Sequence, residues 1–330
     1  MMKQRQLGKN GPLVDEVGFG AMSIAGAFGP ADDETSRKAL DLVFAQDRPH
    51  IDTALIYGPY ISETLIGEHL KKHPAARNKI SIATKGGINP NPRGVSNTAA
   101  FMRECLEGSL KRLGVDHVDL YYVHRRDHAI PIEDVMGTMA EFVKEGKIGG
   151  IGLSEIAPHT LERASKVHHV RAVQNEYSIW TRLPELGLIQ ACKRHGTALV
   201  AFSPVARGVM TDSIVEPAKM PDTEWRKAMP RFNEPNFTYN MAYIKKFQIY
   251  AHSKNWTTAA LANAWVLAQG DHIIPIPGTR TAEHHAENLK ASDINLSAKD
   301  LADIEEILPI GFAHGNRYSV EQQGSAEQYC

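Results

Sequence analysis

Four side chains that can bind or release a proton lie at or just after three successive predicted strands. Asp52 and Tyr57 occur in the segment IDTALIYG, Lys85 in IATKGG and His124 in LYYVHRR. Each residue type alone is common for structural reasons, as a turn cap, a rim aromatic, a solvated cation or a hydrogen-bonded histidine. Because the four stand at consecutive strand ends, we interpret them as parts of one site.

Together these side chains would form a proton-donating site. A phenol has a pKa of about 10 in water, and a nearby ammonium group stabilises the phenolate and lowers that pKa. Lys85 could do this for Tyr57, and Asp52 could supply the counter-charge that a buried lysine needs. His124 could hydrogen-bond a substrate carbonyl and fix its orientation. A set of this kind protonates an oxygen that gains negative charge, as the reduction of a carbonyl group demands.

The elements that would position these residues alternate between strand and helix. Eight short β-branched or apolar runs predict strands at residues 13–20, 50–53, 80–84, 119–123, 149–153, 172–175, 198–202 and 273–276. Amphipathic helices are predicted between them, for example over residues 98–113 and 132–144. Eight βα units predict an α/β fold, a (β/α)8 TIM barrel, whose active site lies at the carboxyl ends of the strands.

The barrel is predicted to form one domain over residues 1–330, with additions at both ends. The turn-rich segment GKNGP predicts a β-hairpin at the N-terminus. The gap at about residues 203–238 predicts a long cofactor or substrate loop, and extra C-terminal helices are expected, the first at about residues 239–253. The tail at about residues 309–330 is rich in Gly, Gln and Ser, and we expect it to close over a mouth or fray.

The alternative α/β fold is a doubly wound dinucleotide-binding sheet. It needs a glycine fingerprint after the first strand, followed at once by a helix. The segment from Gly18 to Ser23 has serine at the third glycine position, and the next residues are loop-like. This alternative is therefore disfavoured.

Composition excludes several classes of protein. The chain has 37 basic and 38 acidic residues, a net charge of −1, so the basic surface of a nucleic-acid binder is not expected, nor is binding to a membrane. Cys105, Cys192 and Cys330 are too few and too widely spaced for a disulfide framework. The first residues lack the apolar core of a signal peptide. We therefore expect a cytoplasmic protein.

One pair of histidines superficially suggests a metal site. His69 and His73 stand four residues apart in HLKKH. The sequence places no third ligand beside them, and the pair lies at the lysine-rich end of a predicted helix. We therefore expect no metal ion in this protein.

The order and spacing of longer motifs resemble those of the aldo-keto reductases over nearly the whole chain. The matching segments are GFGAM, IDTALIYG, SETLIGEHL, IATKGG, LYYVHR, IGLSE, QNEYS, AFSPVARG and IPGTR followed by EN. The resemblance is strongest to bacterial and fungal members of the LHR and GLSE type. It implies the barrel fold, NADPH or NADP⁺ as cofactor, and a catalytic tetrad with Tyr57 as general acid. The tetrad it implies is Asp52, Tyr57, Lys85 and His124.

The resemblance also implies a set of cofactor-binding residues. They are Gly20, Met22, Asp52, Ser154, Gln174, Phe202, Ser203, Pro204, Val205, Arg207, Gly208, Gly278, Thr279, Arg280, His284, Glu287 and Asn288. Ser154 and Gln174 resemble contacts to the nicotinamide carboxamide, and Arg280 resembles a contact to the 2′-phosphate. Two positions depart from the pattern, because Glu155 stands where many relatives have Asn and His284 where they often have Arg or Gln.

These observations predict an NADP(H)-dependent oxidoreductase that reversibly reduces an aldehyde or ketone to the alcohol. Its substrate is expected to be a bulky or aromatic small molecule, because Phe28, Tyr60, Trp180 and aromatics of residues 225–239 are predicted to line the pocket. The alternative is a cofactor-sensing partner protein that resembles the β-subunits of potassium channels. The sequence identifies neither the physiological substrate nor the oligomeric state.

Overall fold

Eight parallel strands form one sheet at the centre of the computed structural model, which describes residues 2–213, 215–222 and 224–329. The described residues contain twelve strands in all, eight of which form this sheet: β1 (Gln4–Gln6), β2 (Leu13–Asp15), β3 (Phe19–Gly20), β4 (His50–Asp52), β5 (Ser81–Gly86), β6 (Ile88–Pro90), β7 (Arg93–Val95), β8 (Leu120–Val123), β9 (Ile151–Ser154), β10 (Val170–Glu176), β11 (Ala198–Phe202) and β12 (Ile273–Ile276). The order in the sheet is β12-β11-β10-β9-β8-β5-β4-β3.

Contacts between β3 and the segment around β12 bring the two edges of this sheet together. The amide of Gly18 donates to the carbonyl of Pro275 at 2.9 Å, and the amide of Gly20 donates to that of Pro277 at 3.1 Å. Gly20 also forms a parallel bridge with Gly278. A Cβ atom at Gly20 would lie 2.7 Å from the carbonyl oxygen of Ile276, so this approach requires glycine. The nearly closed barrel confirms the predicted fold and excludes the doubly wound alternative.

Helices surround the sheet, and most of them bury apolar residues on the side that packs against the rest of the protein. They are α1 (Asp33–Ala45), α2 (Ile61–Lys72), α3 (Ala99–Leu113), α4 (Ile132–Lys144), α5 (Pro158–Ala164), α6 (Leu188–His195), α7 (Asn236–Ser253), α8 (Thr258–Ala268), α9 (Ala282–Leu289), α10 (Ala298–Ile307) and α11 (Val320–Gln323). In α4, the buried residues Ile132, Val135, Met136, Met139 and Phe142 recur every three or four positions. This spacing is why the sequence predicted α4 with the observed bounds.

The barrel interior is a separate apolar cluster from the layer between sheet and helices. Ala83, Leu120 and Val200 belong to it, as do Leu7 and Val14 from the predicted N-terminal hairpin, β1 paired with β2. The hairpin therefore packs against residues of the interior. The single strand predicted over residues 13–20 is wrong in one respect, because the structure divides it into β2 and β3.

The region of residues 203–238 is largely irregular, with short 3₁₀ turns at Pro217–Lys219, Trp225–Ala228 and Pro230–Phe232. The sequence analysis missed the small antiparallel hairpin β6–β7. Cys105 and Cys192 are buried free thiols, and Cys330 lies outside the described residues. No helix in the described part of the chain combines the length and the apolar character needed to cross a membrane.

Candidate active site

Strand register explains why Lys85 and His124 point towards the same space. Side chains two residues apart on a strand share a face. Ala83 and Tyr122 belong to the interior cluster, and each precedes one of the two polar residues by two positions. Lys85 is opposite Tyr122 in the β5–β8 pairing, and Asp52 is opposite Ala83 in the β4–β5 pairing. Asp52, Lys85 and His124 therefore emerge at one end of the barrel.

Lys85 is fully buried, and three groups surround its ammonium. It pairs with the carboxylate of Asp52, donates to the carbonyl of Thr53 at 2.8 Å, and donates to the hydroxyl of Tyr57 at 3.1 Å. Tyr57 lies on the loop after β4 and keeps part of its surface exposed. The ring of His124 meets the Tyr57 ring edge-on, with centroids 5.9 Å apart. The structure thus brings all four predicted catalytic side chains together.

The electrostatics keep the tyrosine protonated and the lysine charged. Burial lowers the pKa of Lys85, but the Asp52 carboxylate and the Tyr57 hydroxyl together outweigh this and hold the pKa above its ordinary value. Desolvation raises the pKa of Tyr57, and the Lys85 ammonium opposes this shift without cancelling it. The sequence analysis expected the ammonium to dominate, whereas burial of the hydroxyl has the larger effect. Tyr57 therefore keeps its proton at neutral pH.

His124 is a neutral imidazole at neutral pH. Burial, together with the nearby cations Arg125 and Lys85, lowers the pKa of His124 well below its ordinary value. Its Nδ1 atom has no hydrogen-bond partner among the described residues. A neutral ring has one donor and one acceptor nitrogen, so His124 can hydrogen-bond a ligand without adding charge.

Gln174, at the end of β10, contacts the tetrad directly. Its side-chain amide donates to the second oxygen of Asp52 at 2.7 Å. Ser154, the other residue assigned to the carboxamide, accepts from Arg125 at 3.2 Å. The resemblance gave both residues a cofactor role, and the structure adds that Gln174 holds the carboxylate that pairs with Lys85.

The segment after β11 has an unusual backbone. Ser203, Ala206, Arg207 and Gly208 all have positive φ, between 50° and 99°. Such strain in non-glycine residues clusters at ligand clamps. The Arg207 guanidinium does not face outwards, because it is buried, pairs with Glu176 and lies over the Trp225 and Tyr318 rings.

Residues after β12 surround the start of α9. Thr281 caps this helix by accepting from the amide of His284. Arg280 donates to the carbonyl oxygen of Phe28 at 2.8 Å, which ties the segment after β12 to the loop after β3. His284 is exposed, whereas Asn288 is buried and accepts from Asn263 at 3.1 Å. The side-chain oxygen of Asn288, a predicted cofactor contact, therefore accepts a hydrogen bond from the protein itself.

The C-terminal tail lies over the ends of β9 and β10. The Arg317 guanidinium lies 2.5 Å from Glu155 and 3.2 Å from Glu176, and both acids are buried. Glu327 pairs with Arg126 and accepts from the amide of Ala157 at 2.8 Å. Sequence reasoning missed this ion-pair network. The one available signal was Glu155, the departure from the family pattern, which anchors the tail.

The predicted pocket residues fall into two groups. Phe28 packs on Trp225 with ring centroids 5.5 Å apart, and Trp180 packs on Phe232 at 5.9 Å. Tyr60 joins neither contact. It is exposed, and its ring stacks on Arg112 of α3 instead.

Known proteins resemble this chain over most of its length. The model of the aldo/keto reductase family matches residues 16–309. A probable aldo-keto reductase of Glycine max is 39% identical over 319 residues, 95% of this chain and 91% of that protein. The aldo-keto reductase yakc [NADP(+)] of Schizosaccharomyces pombe is 35% identical over 321 residues, 95% of this chain and 94% of that protein.

Solved structures share the fold. A glycerol dehydrogenase of Gluconobacter oxydans has a TM-score of 0.82 at 24% identity, over 92% of this chain and 94% of that one. An aldo-keto reductase of Bacillus halodurans in its holo form has a TM-score of 0.72 at 24% identity, over 98% and 99%. The family match and the named relatives identify this chain as a barrel oxidoreductase that acts on carbonyl and alcohol groups. The chain belongs to the aldo/keto reductase family, as its motifs predicted.

Proposed function

We propose that this chain catalyses the NADPH-dependent reduction of an aldehyde or ketone to the alcohol, and the reverse reaction with NADP⁺. The catalytic residues of this proposal are Asp52, Tyr57, Lys85 and His124. The observation that carries it is the 3.1 Å hydrogen bond from the fully buried Lys85 ammonium to the Tyr57 hydroxyl. A lysine that was exposed to solvent at the strand end would not hold its ammonium against the tyrosine hydroxyl.

Each residue has a separate part in the proton transfer. Tyr57 donates its hydroxyl proton to the carbonyl oxygen as that oxygen gains negative charge, and Lys85 stabilises the phenolate that remains. Asp52 keeps Lys85 charged and in place, and Gln174 holds Asp52. His124, neutral and adjacent to the Tyr57 ring, orients the carbonyl by hydrogen bonding. In the oxidation direction the phenolate accepts the alcohol proton.

Several features of the mouth fit a dinucleotide cofactor, which when bound supplies the hydride to the carbonyl carbon. The left-handed backbone at Ser203 and at residues 206–208 is typical of a ligand clamp. The N-terminus of α9, adjacent to Arg280, favours a phosphate group. The name of the fission-yeast relative includes NADP(+). We therefore assign the nicotinamide to Ser154, Gln174 and Phe202, and the 2′-phosphate to Thr279 and Arg280.

The substrate of this proposal is a carbonyl compound with an apolar or aromatic body, because the residues predicted to line its pocket are largely aromatic. The contacts Phe28–Trp225 and Trp180–Phe232 supply aromatic walls.

A turnover screen tests the proposal. Loss of NADPH absorbance is followed with aliphatic, aromatic and cyclic aldehydes and ketones, with the Tyr57→Phe variant as the matched control. Turnover by wild type and its loss in the variant are expected. A chain that binds NADPH tightly but reduces no member of a broad panel would contradict the proposal and favour the cofactor-sensing partner protein.

A further inference from the structure

A second cluster of chemically capable side chains lies on the outer helices. His69 is in the last turn of α2, His73 caps that helix, and Asp41 lies on the neighbouring helix α1. One ligand atom from each residue lies within 4.8 Å of the others, and within the described residues no other group of three or more His, Cys, Asp or Glu has this geometry. The fold therefore supplies the third ligand that the sequence did not place near HLKKH.

We propose that Asp41, His69 and His73 bind one divalent transition-metal ion, for which zinc is the appropriate probe. Imidazole and carboxylate groups together suit zinc, nickel and copper. Two histidines four residues apart project from one side of a helix end, and the aspartate approaches from the next helix. Three protein ligands leave a fourth position for water.

The distances require only a small adjustment. Tetrahedral zinc with bonds of about 2.0–2.1 Å brings its ligand atoms to about 3.3 Å from each other. Asp41 and His73 are exposed and can rotate, while His69 is buried and fixed. The Phe44 ring packs edge-on against the His69 ring, with the two centroids 4.7 Å apart. Because His69 is fixed and the other two side chains can rotate, the three ligand atoms can reach the distances that a zinc ion requires.

The simpler alternative is that His69 only forms a hydrogen bond with the Asp41 carboxylate and binds no metal ion. His69 Nε2 lies 2.8 Å from Asp41 Oδ1, and the same contact occurs twice elsewhere, between His195 and Glu162 and between His252 and Asp212. Neither of those pairs belongs to a group with a third ligand. The second imidazole, whose ring centroid is 5.2 Å from that of His69, distinguishes the cluster.

Two features limit the affinity. Lys72 lies next to His73 and its charge opposes a cation. Coordination through His69 Nε2 also places the imidazole proton on Nδ1, which is buried without a partner among the described residues. Because outer-shell partners are worth about 10- to 100-fold in metal affinity, this site is expected to bind zinc more weakly than a fully supported one.

The position of the site predicts its effect. α2 begins just after the Tyr57 loop and runs back towards the start of β5, so His73 is at the barrel end opposite the tetrad. An ion there joins α1 to the end of α2. It should raise thermal stability by binding the folded state, and it should leave the reductase reaction unchanged.

Calorimetric titration of the untagged, chelator-treated full chain with zinc chloride tests the site, and cobalt(II) absorption reports coordination geometry. We expect one zinc per chain, an increase in Tm, and at least about tenfold weaker binding in Asp41→Asn and in His73→Gln. His252→Gln, which removes a matched histidine–carboxylate pair, should bind zinc as wild type does. The His73 side chain is exposed and makes no hydrogen bond among the described residues, so the apo Tm of His73→Gln should match wild type, and both ligand variants should keep wild-type activity.

Equal zinc affinity in wild type and His73→Gln would overturn the proposal, as would absence of a stoichiometric site in wild type. Equal loss in His252→Gln would also overturn it, since it would indicate adventitious binding by surface histidines.

Discussion

The two halves of the barrel mouth use buried charge differently. At β4, β5 and β8, the buried cation Lys85 is matched by the buried carboxylate of Asp52, and the ammonium keeps one further hydrogen bond for Tyr57. At β9 to β11, Glu176 pairs with both Arg207 and Arg317. There the charges satisfy each other and fasten the C-terminal tail.

This difference separates reactivity from anchoring. In the catalytic half, the buried Lys85 ammonium keeps a hydrogen bond to the Tyr57 hydroxyl, and its charge can stabilise a phenolate because burial limits screening by water. In the other half, the charged groups are closed into ion pairs whose removal would leave an uncompensated buried charge. Changes in the first half should alter rates, and changes in the second should alter stability and tail docking.

The largest effect is expected for Tyr57→Phe, which removes only the acidic hydroxyl. General acid catalysis contributes roughly 10²- to 10⁴-fold, so kcat should fall by that factor while NADPH binding stays nearly unchanged. Steady-state kinetics and a fluorescence titration of NADPH measure the two effects. If the variant kept more than about half of the wild-type kcat, with chemistry shown to limit the rate, Tyr57 would not be the acid.

Lys85→Met should reduce kcat about as much as Tyr57→Phe. The change removes the group that stabilises the phenolate and leaves Asp52 buried without its cation. Because the two residues act as a unit, the double variant should be little worse than either single variant. Multiplicative losses in the double variant would show that Lys85 and Tyr57 act independently. Circular dichroism of Lys85→Met separates loss of catalysis from loss of fold.

The catalytic half could be predicted because its residues lie within short motifs at strand ends. Once a strand is recognised, alternation of faces places Lys85 two positions after Ala83, and the parallel order of strands places neighbouring ends together. The convergence of Asp52, Lys85 and His124 therefore follows from local patterns, and Tyr57 follows β4 closely in the same motif.

The other half could not be predicted, because its partners are far apart in sequence. Glu176 and Arg317 are separated by 141 residues, and no spacing rule connects them. Glu155 has φ of 55°, a conformation that glutamate rarely adopts and asparagine tolerates better. The motif comparison identified Glu155 as a departure from the family pattern. Only the fold reveals that its carboxylate pairs with Arg317.

Arg317→Met tests the anchoring half. Breaking a buried ion pair from one side costs about 3–5 kcal/mol, and the cost is limited because the tail can detach and let water reach Glu155 and Glu176. We expect a lower free energy of unfolding and faster hydrogen exchange in residues 309–329, with kcat far less affected than in Tyr57→Phe. Arg163→Met is the control, because its pair with Glu133 is largely exposed. Equal destabilisation by both variants would mean that burial of the Arg317 network is unimportant.

Acid should weaken the half that contains Glu176. Burial raises the pKa of Glu176, but Arg207, Arg317 and Arg231 outweigh this and lower it to about 2. A carboxyl group with a depressed pKa in the folded state contributes stability above its unfolded pKa of about 4.3 and loses it as pH falls towards 2. The contribution is up to about 3 kcal/mol. Urea unfolding at pH 7 and pH 3 should show that Glu176→Gln differs from wild type less at pH 3. A constant difference at both pH values would contradict the assigned pKa.

The smallest effect is expected at Arg280, which combines anchoring with a proposed cofactor role. Its guanidinium now holds the carbonyl of Phe28, and a dianionic 2′-phosphate would offer it stronger, charge-assisted hydrogen bonds. Such bonds contribute on the order of 1.5–3 kcal/mol, or roughly 10- to 150-fold in affinity. Arg280→Ala should therefore weaken NADPH binding by that factor and leave NADH binding almost unchanged, whereas Arg280→Lys should keep part of the preference. Fluorescence titration of both cofactors against the three proteins distinguishes the roles. Equal losses for NADPH and NADH would mean that Arg280 only fastens the loop at Phe28, because loss of that loop contact would not depend on the 2′-phosphate.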